Sequence, residues 1–445
     1  MMKKLISTAA VLFLATNANA TISRLKALGM SETDNEGSYY IEDDRNIFLN
    51  VANVNDYSDT VILEWGGSGN NLGSASLATD ADTSPKAKGG FLKKHGNYTY
   101  GVYLGNESNT ASLLRGVATG AHAAQATLAT GSQGLGADSM IDGADNQIDL
   151  FFAGKTSSFD WGTNFVYTSD RDDSSLSRDT AHAVRLGLKA DRWDAFANIS
   201  TGSKSRKTTA HNFVGLGATF NGTVYSEFNG KLGLHLGGGY KLNDTCKVYG
   251  FVKKFDWEQT DTGGTTAGFG STSLNGRGQF GTVEAGFMTY AVGYGHQAKA
   301  GKGTFFGNVE YRSKEIEVKF REKAEGKNVN LPVTVGYEYD ATSWLTLRGS
   351  IKQNVYGYRN NNKYTSLNIV ANSAATTEFG ADTNGKKVTD ANTTDVAAGA
   401  TLNFGSIKVD GFVGTAGTNG TATTTDAGTL SLDRLMTRVG MTYNF

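Results

Sequence analysis

The feature that most constrains this chain is a period of two that recurs over most of its length. In Lys231–Tyr240, Leu232, Leu234, Leu236 and Tyr240 fall on one face, and Lys231, Gly233, His235 and Gly237 on the other. Trp344–Gln353 repeats the pattern: Leu345, Leu347 and Ile351 alternate with Thr346, Arg348, Ser350 and Lys352. Val184–Ala190 does so again, with Val184, Leu186 and Leu188 against Arg185, Gly187 and Lys189. Such alternation describes strands with one apolar and one polar face. The connections are of two kinds. Very short turns stand at His95-Gly96, Lys155–Ser158, Asp191-Arg192, Asn243-Asp244, Ala300-Gly301, Ala341–Ser343 and Gly405-Ser406. Between them run long polar stretches, about 68–86, 106–146, 169–180, 202–228, 257–279, 313–329, 355–393 and 415–431. Seven hairpins, a first strand near Thr60–Gly67 and a last near Leu432–Phe445 make sixteen strands. Short turns at one end and long loops at the other are the asymmetry of a transmembrane antiparallel barrel, whose apolar face meets lipid. Each strand is read as about nine to twelve residues, enough to cross a bilayer when tilted.

Composition agrees. Only 2 of 445 residues are proline, as long uninterrupted ladders require. Pro85 is placed in a loop and Pro332 at a strand start. The single Cys246 excludes a disulfide framework and a thiolate metal cluster. A formal net charge of -1 gives no case for nucleic-acid binding. Residues 1–20 read as a secretory signal peptide: basic Lys3 and Lys4, an apolar centre at Val11–Leu14, and Ala18-Asn19-Ala20 for cleavage. The apolar run is too short for a helical span. An exported chain without such a span is either soluble or a closed barrel. Residues 59–445 are assigned to an outer-membrane β-barrel, with short periplasmic turns and long extracellular loops. The outward Trp65, Trp161 and Trp193 are placed near the interfacial girdles.

The C-terminus carries a resemblance. Leu435, Thr437, Val439, Met441, Tyr443 and Phe445 share one face, and the chain ends on Phe445 with Tyr443 two before it. This resembles the closing strand of bacterial outer-membrane porins. The likeness implies that Tyr443 and Phe445 act as an assembly signal for the barrel assembly machinery, and that the chain forms homotrimers. Residues 21–58 depart from it. Leu25-Lys26-Ala27-Leu28-Gly29-Met30, then Asp43-Asp44-Arg45 and Asn50-Val51-Ala52, are similar to the front of long-chain fatty-acid outer-membrane transporters. In that family a Leu-Gly-Met stretch precedes an acidic pair and an Asn-Pro-Ala triplet, and the segment folds as a hatch inside the barrel. Here the triplet lacks its proline and the strand count is larger. Two placements stay open, a helix and turn at the periplasmic mouth or a hatch.

The phase of alternation nominates pore-lining residues: Arg185, Lys231, His235, Glu284, Glu310, Glu338, Arg348, Lys352, Arg434 and Arg438. Lys189, Lys408, Glu64 and Asp410 join them by the same phase. Basic residues lead in this set, which gives an expectation of weak anion preference. The Ala-rich stretch 106–146 is a candidate constriction loop. Signals for chemistry are weak. Gly276–Gly281 matches GxGxxG but precedes a strand, and so fails the dinucleotide context. Asp170–Asp173 reads as a solvated loop. The six histidines show no metal-ligand spacing. No catalytic residue, metal or cofactor is expected. The reading is an outer-membrane porin that passes small hydrophilic solutes and ions through a water-filled lumen. Its other partners are outer-membrane lipid and lipopolysaccharide. The alternatives are a transporter of hydrophobic substrates with an N-terminal hatch, and a structural or adhesive barrel.

Overall fold

In the computed structural model, residues 21–30, 36–66, 87–106, 147–173, 177–215, 218–265, 281–320, 322–362, 383–389, 394–415 and 438–445 are described. The candidate signal peptide, Pro85, the candidate constriction loop beyond Asn106, Arg434 and most of the GxGxxG stretch lie outside them.

Each short turn joins two antiparallel strands. The pairs are β2 (Lys88–His95) with β3 (Tyr98–Leu104), β4 (Gln147–Lys155) with β5 (Asp160–Asp172), and β6 (Ser177–Lys189) with β7 (Trp193–Gly215). Next come β8 (Ala218–Lys241) with β9 (Cys246–Thr265), β10 (Gly281–Ala300) with β11 (Gly303–Phe320), and β12 (Glu322–Asp340) with β13 (Leu345–Asn362). β15 (Thr394–Phe404) with β16 (Ile407–Thr415) is the last such pair. Gly96 and Gly301 adopt φ of 61° at their turns, the left-handed geometry that tight hairpins need. β1 (Thr60–Gly66) pairs with both β2 and β17 (Arg438–Asn444), which closes the sheet on itself. The two-residue β14 (Val388–Thr389) pairs with β13 beyond the end of β15 and prolongs the same stave. The wall therefore has the sixteen staves that the turns imply.

Strand length differs from the expectation. β8 has 24 residues, β7 23, and β9 and β10 20 each. At ~3.4 Å per residue, tilted ~45°, β8 rises ~55 Å, far beyond an apolar band of ~25 Å. Much of 202–228 and 313–329, read as loops, continues as ladder to the pairs Gly215–Ala218 and Phe320–Glu322. Above the membrane the outer face meets water, so a strand loses its apolar outer residues and reads as polar loop. Pro332 stands inside β12, not at its start, where the register with β13 shifts between Leu331 and Pro332, a bulge that tolerates a missing donor.

The outer face is apolar. Leu63, Leu150, Phe165, Leu186, Leu236, Val292, Val335 and Leu347 are large, exposed and outward, and Trp65 and Trp193 join them. No helix among the described residues is long and apolar enough to cross a membrane; the strands cross instead. Closure leaves no unpaired edge in hydrocarbon. The chain is a closed antiparallel β-barrel with the apolar outer belt of a membrane-spanning one.

Candidate functional site

The N-terminal segment lies inside the barrel. Helix α1 (Ile22–Ala27) packs against β13, β15, β16 and β17. The 3-10 turn Val51–Asp56 packs against β3, β4, β5 and β6 on the opposite wall. Between them Tyr39 and Tyr40 meet β9. The segment touches the wall on several sides and lies across the barrel interior. Its local fold follows from two caps. The Asp43 carboxylate accepts from Arg45 N at 3.0 Å and opens the turn Asp44–Phe48. The Asn50 side chain accepts from Ala52 N at 3.1 Å and opens the second turn. Val51 is the first residue of that turn, the position where proline would cost no hydrogen bond.

Wall glycines make room for the hatch. A Cβ on Gly187 would come 2.7 Å from the backbone nitrogens of Val51 and Ala52, and one on Gly399 would come 2.8 Å from Ala27 Cβ. Buried charges then bind the hatch to the wall. Arg24 bridges Asp43 at 3.0 Å within the hatch and Glu338 on β12 at 2.8 Å. Arg45 pairs with Glu64 on β1 at 3.0 Å. Glu64 also accepts from Ile22 N at 2.8 Å and from the Tyr103 hydroxyl at 2.7 Å. Arg348 holds Glu338 at 3.1 Å and Asp410 at 3.0 Å, while Thr21 N donates to Asp410 at 3.3 Å. Burial pushes the Asp43 carboxyl up to about 7, although Arg24 opposes the shift. Asp44, buried beside Asp43, Glu64 and Asp410, is pushed well above the ordinary carboxylate range.

The structure redistributes the nominated residues. Glu338 and Arg348 face inward as part of the hatch-to-wall network. Arg185 faces inward and pairs with Asp149 at 2.5 Å, and its guanidinium lies 5.8 Å from the Phe48 ring of the hatch. His235 is fully buried and hydrogen-bonds the Tyr39 hydroxyl at 3.0 Å. Glu310 accepts from Tyr249 at 2.9 Å and pairs with Arg312 at 2.6 Å. Lys352 stands 3.9 Å from Asp395. Arg438 begins β17, and its side chain is outside the description. Two residues are corrected to the outer face. Glu284 lies on the side of β10 that carries Met288, Val292 and Tyr294 and is 56% exposed beside Lys319. The long strands put this level above the hydrocarbon, where outward charge is stable. Lys231 is 48% exposed and pairs with outward Glu258 at 3.5 Å, because the register shift between Gly230 and Gly233 breaks the phase that counting by two assumed. Tyr443 and Phe445 lie on the outer face. Among the described residues these inward charges face partners.

Residues that counting by two passed over shape the interior. Tyr249, Phe251, Phe255 and Trp257 line up on the inner face of β9, and all are buried. Phe228 packs on Trp257 with ring centroids 5.7 Å apart. At the end with the short turns a cavity of about 310 Å³ lies between hatch and wall, lined among others by Tyr40, Glu42, Asn50, Lys241, Lys247 and Tyr249. The aromatic repeat is visible in the sequence, but periodicity does not distinguish an apolar face turned to lipid from one turned to the lumen.

No family model matches the chain, and no curated protein matches it. Among solved structures it is similar to a Pseudomonas aeruginosa FadL homologue, with 10% identity over 92% of this chain and 96% of that one and a TM-score of 0.40. It is similar to the Ralstonia pickettii toluene transporter TbuX at 9% identity, over 95% and 97% of the two chains, with a TM-score of 0.36. A third similar structure is BauA, the ferric preacinetobactin receptor from Acinetobacter baumannii. It shares 8% identity over 79% of this chain and 54% of that one, with a TM-score of 0.38.

Proposed function

We propose that the chain is an outer-membrane transporter of small hydrophobic molecules, with residues 21–58 as its hatch. What supports this reading is an aromatic inner wall beside an N-terminal segment packed inside the barrel. A diffusion channel for ions needs a continuous aqueous path lined by charged or polar groups. Here the hatch lies across that path, and its charges are paired with those of the wall. Phe228, Phe255, Trp257 and Ile316 stand inward and buried on the side of the long strands, a surface that favours apolar ligands over hydrated ones. No covalent chemistry is required.

Uptake in cells tests the reading. Cells expressing the protein should accumulate radiolabelled naphthalene faster than cells without it, with no gain in entry of a hydrophilic sugar of similar size. Faster sugar entry with unchanged naphthalene entry would restore the porin reading.

A further inference from the structure

Transport through a plugged barrel needs a way past the plug, and one strand holds both ends of it. β9 presents Tyr249, Phe251, Phe255 and Trp257 to the lumen at alternate positions, interrupted only by Lys253. The ladder covers ~27 Å along the strand at ~3.4 Å per residue. Its upper end, Phe255 and Trp257, belongs to the aromatic wall above the hatch. Its lower end, Tyr249, lines the cavity among the hairpin residues Asn243, Asp244 and Thr245. Tyr39 covers the middle of the ladder, with Tyr40 beside Tyr249 below it. The Tyr39 ring lies parallel to Phe251 at 4.6 Å and to Tyr249 at 5.1 Å. Its hydroxyl is held by His235 Nε2 at 3.0 Å. Just above, Glu36 holds Lys253 at 3.2 Å. Phe196 lies 6.3 Å from Tyr39, tilted by 34°, and closes in the ring with His235.

We infer that the inner face of β9 is the translocation track and that Tyr39 is its gate. A planar aromatic molecule moves down the ladder, takes the place of Tyr39 on Phe251 and Tyr249, and leaves through the cavity into the periplasm. Tyr39 sets specificity because its site accepts a flat ring and excludes a bulky aliphatic one. Offset parallel stacking supplies attraction for either occupant, so exchange between them loses little. This inference rests on the transport reading and adds a path, a gate and a substrate shape to it.

Photolabelling of the full-length protein in lipid nanodiscs with 2-azidonaphthalene, with adducts mapped by mass spectrometry, tests it. In the wild type, adducts should concentrate on Phe255 and Trp257. Tyr39→Ala should raise adducts on Tyr249 and Phe251 by up to ~tenfold, the factor that one aromatic pair sets. Tyr39→Trp, which keeps the stack, should stay at or below the wild-type level. Tyr39→Leu gives the same comparison as the alanine variant should that one fail to reach the heat-resistant barrel form on gels. An adduct pattern indifferent to Tyr39, or adducts that follow another strand, would overturn the gate and leave the transport reading standing. An unlabelled lumen in every variant would remove both.

Discussion

Asp43 and Asp44 stand side by side in the hatch, buried among Arg24, Arg45, Glu64, Asp410 and Lys408, with Thr442 donating to Asp44 at 3.3 Å. Both docked carboxyls hold a proton to higher pH than a free aspartate, whose ordinary value is 3.8. Docking therefore takes up protons. The part of docking that these two acids supply is fully present at low pH and is lost as pH rises from about 4 towards about 7. Asp44→Asn, a permanent stand-in for the protonated acid, should flatten this dependence. The measurement is trypsin cleavage within the hatch at about pH 5 and about pH 8, taken as the ratio of wild-type to variant rate at each pH. A ratio that does not rise with pH would contradict the assignment. Arg24→Ala takes one cation from both Asp43 and Glu338 and leaves Asp43 buried. The loss of a buried partner is worth ~3–5 kcal/mol of hatch docking, and should appear as current bursts in planar bilayers that the wild type lacks. The charged character of this segment is also what hid its place. Arg24, Lys26, Asp43, Asp44 and Arg45 read as solvated surface, yet all five are buried, because a barrel can wrap a polar core in an apolar skin.

At the scale of elements, the hatch and the wall glycines fit as one joint. Gly187→Leu should leave the barrel assembled, since β6 keeps its ladder, and push the turn after Asn50 off the wall. Faster hatch proteolysis with unchanged heat-resistant mobility on gels is the expected result. Deleting residues 21–56 should turn a silent protein into a steady ohmic conductor. Silence after that deletion would mean that other parts of the chain close the lumen. All seven tight hairpins were legible in the sequence, because turn residues and a change of alternation phase mark them chemically. β7 and β8 were legible only where lipid imposes alternation. Their upper halves, with Lys204, Arg206, Glu227 and Asn229, carry no such constraint. Tyr39 could not be picked out in advance, since nothing local distinguishes a tyrosine that stacks across a lumen from one in a loop.

For the whole molecule, facing and height decide what a charge costs. Val292 is 65% exposed and outward among apolar neighbours. Val292→Arg should lower barrel stability in vesicles by ~2–4 kcal/mol if its level is near the bilayer midplane. Glu284→Arg, on the same face of the same strand but above the belt, should change it little. Urea unfolding of the two variants compares them directly, and equal losses would place the belt wrongly. Closure of the sheet through β1 and β17 was implied by strand count alone. The side on which Lys231 falls was not, since a single bulge between Gly230 and Gly233 reverses inside and outside for the residues beyond it.

The wall is of unequal height among the described residues, from seven residues in β1, β3 and β17 to 24 in β8. The upper rungs of β7 to β12 stand in water, where a loosened amide finds a solvent partner at once. Deuterium uptake in that parapet should run from fast at its crest to slow at the bilayer surface. Among the described residues that parapet rises on the flank of β7 to β12, where a solute arriving from outside would meet it as a boat meets a quay.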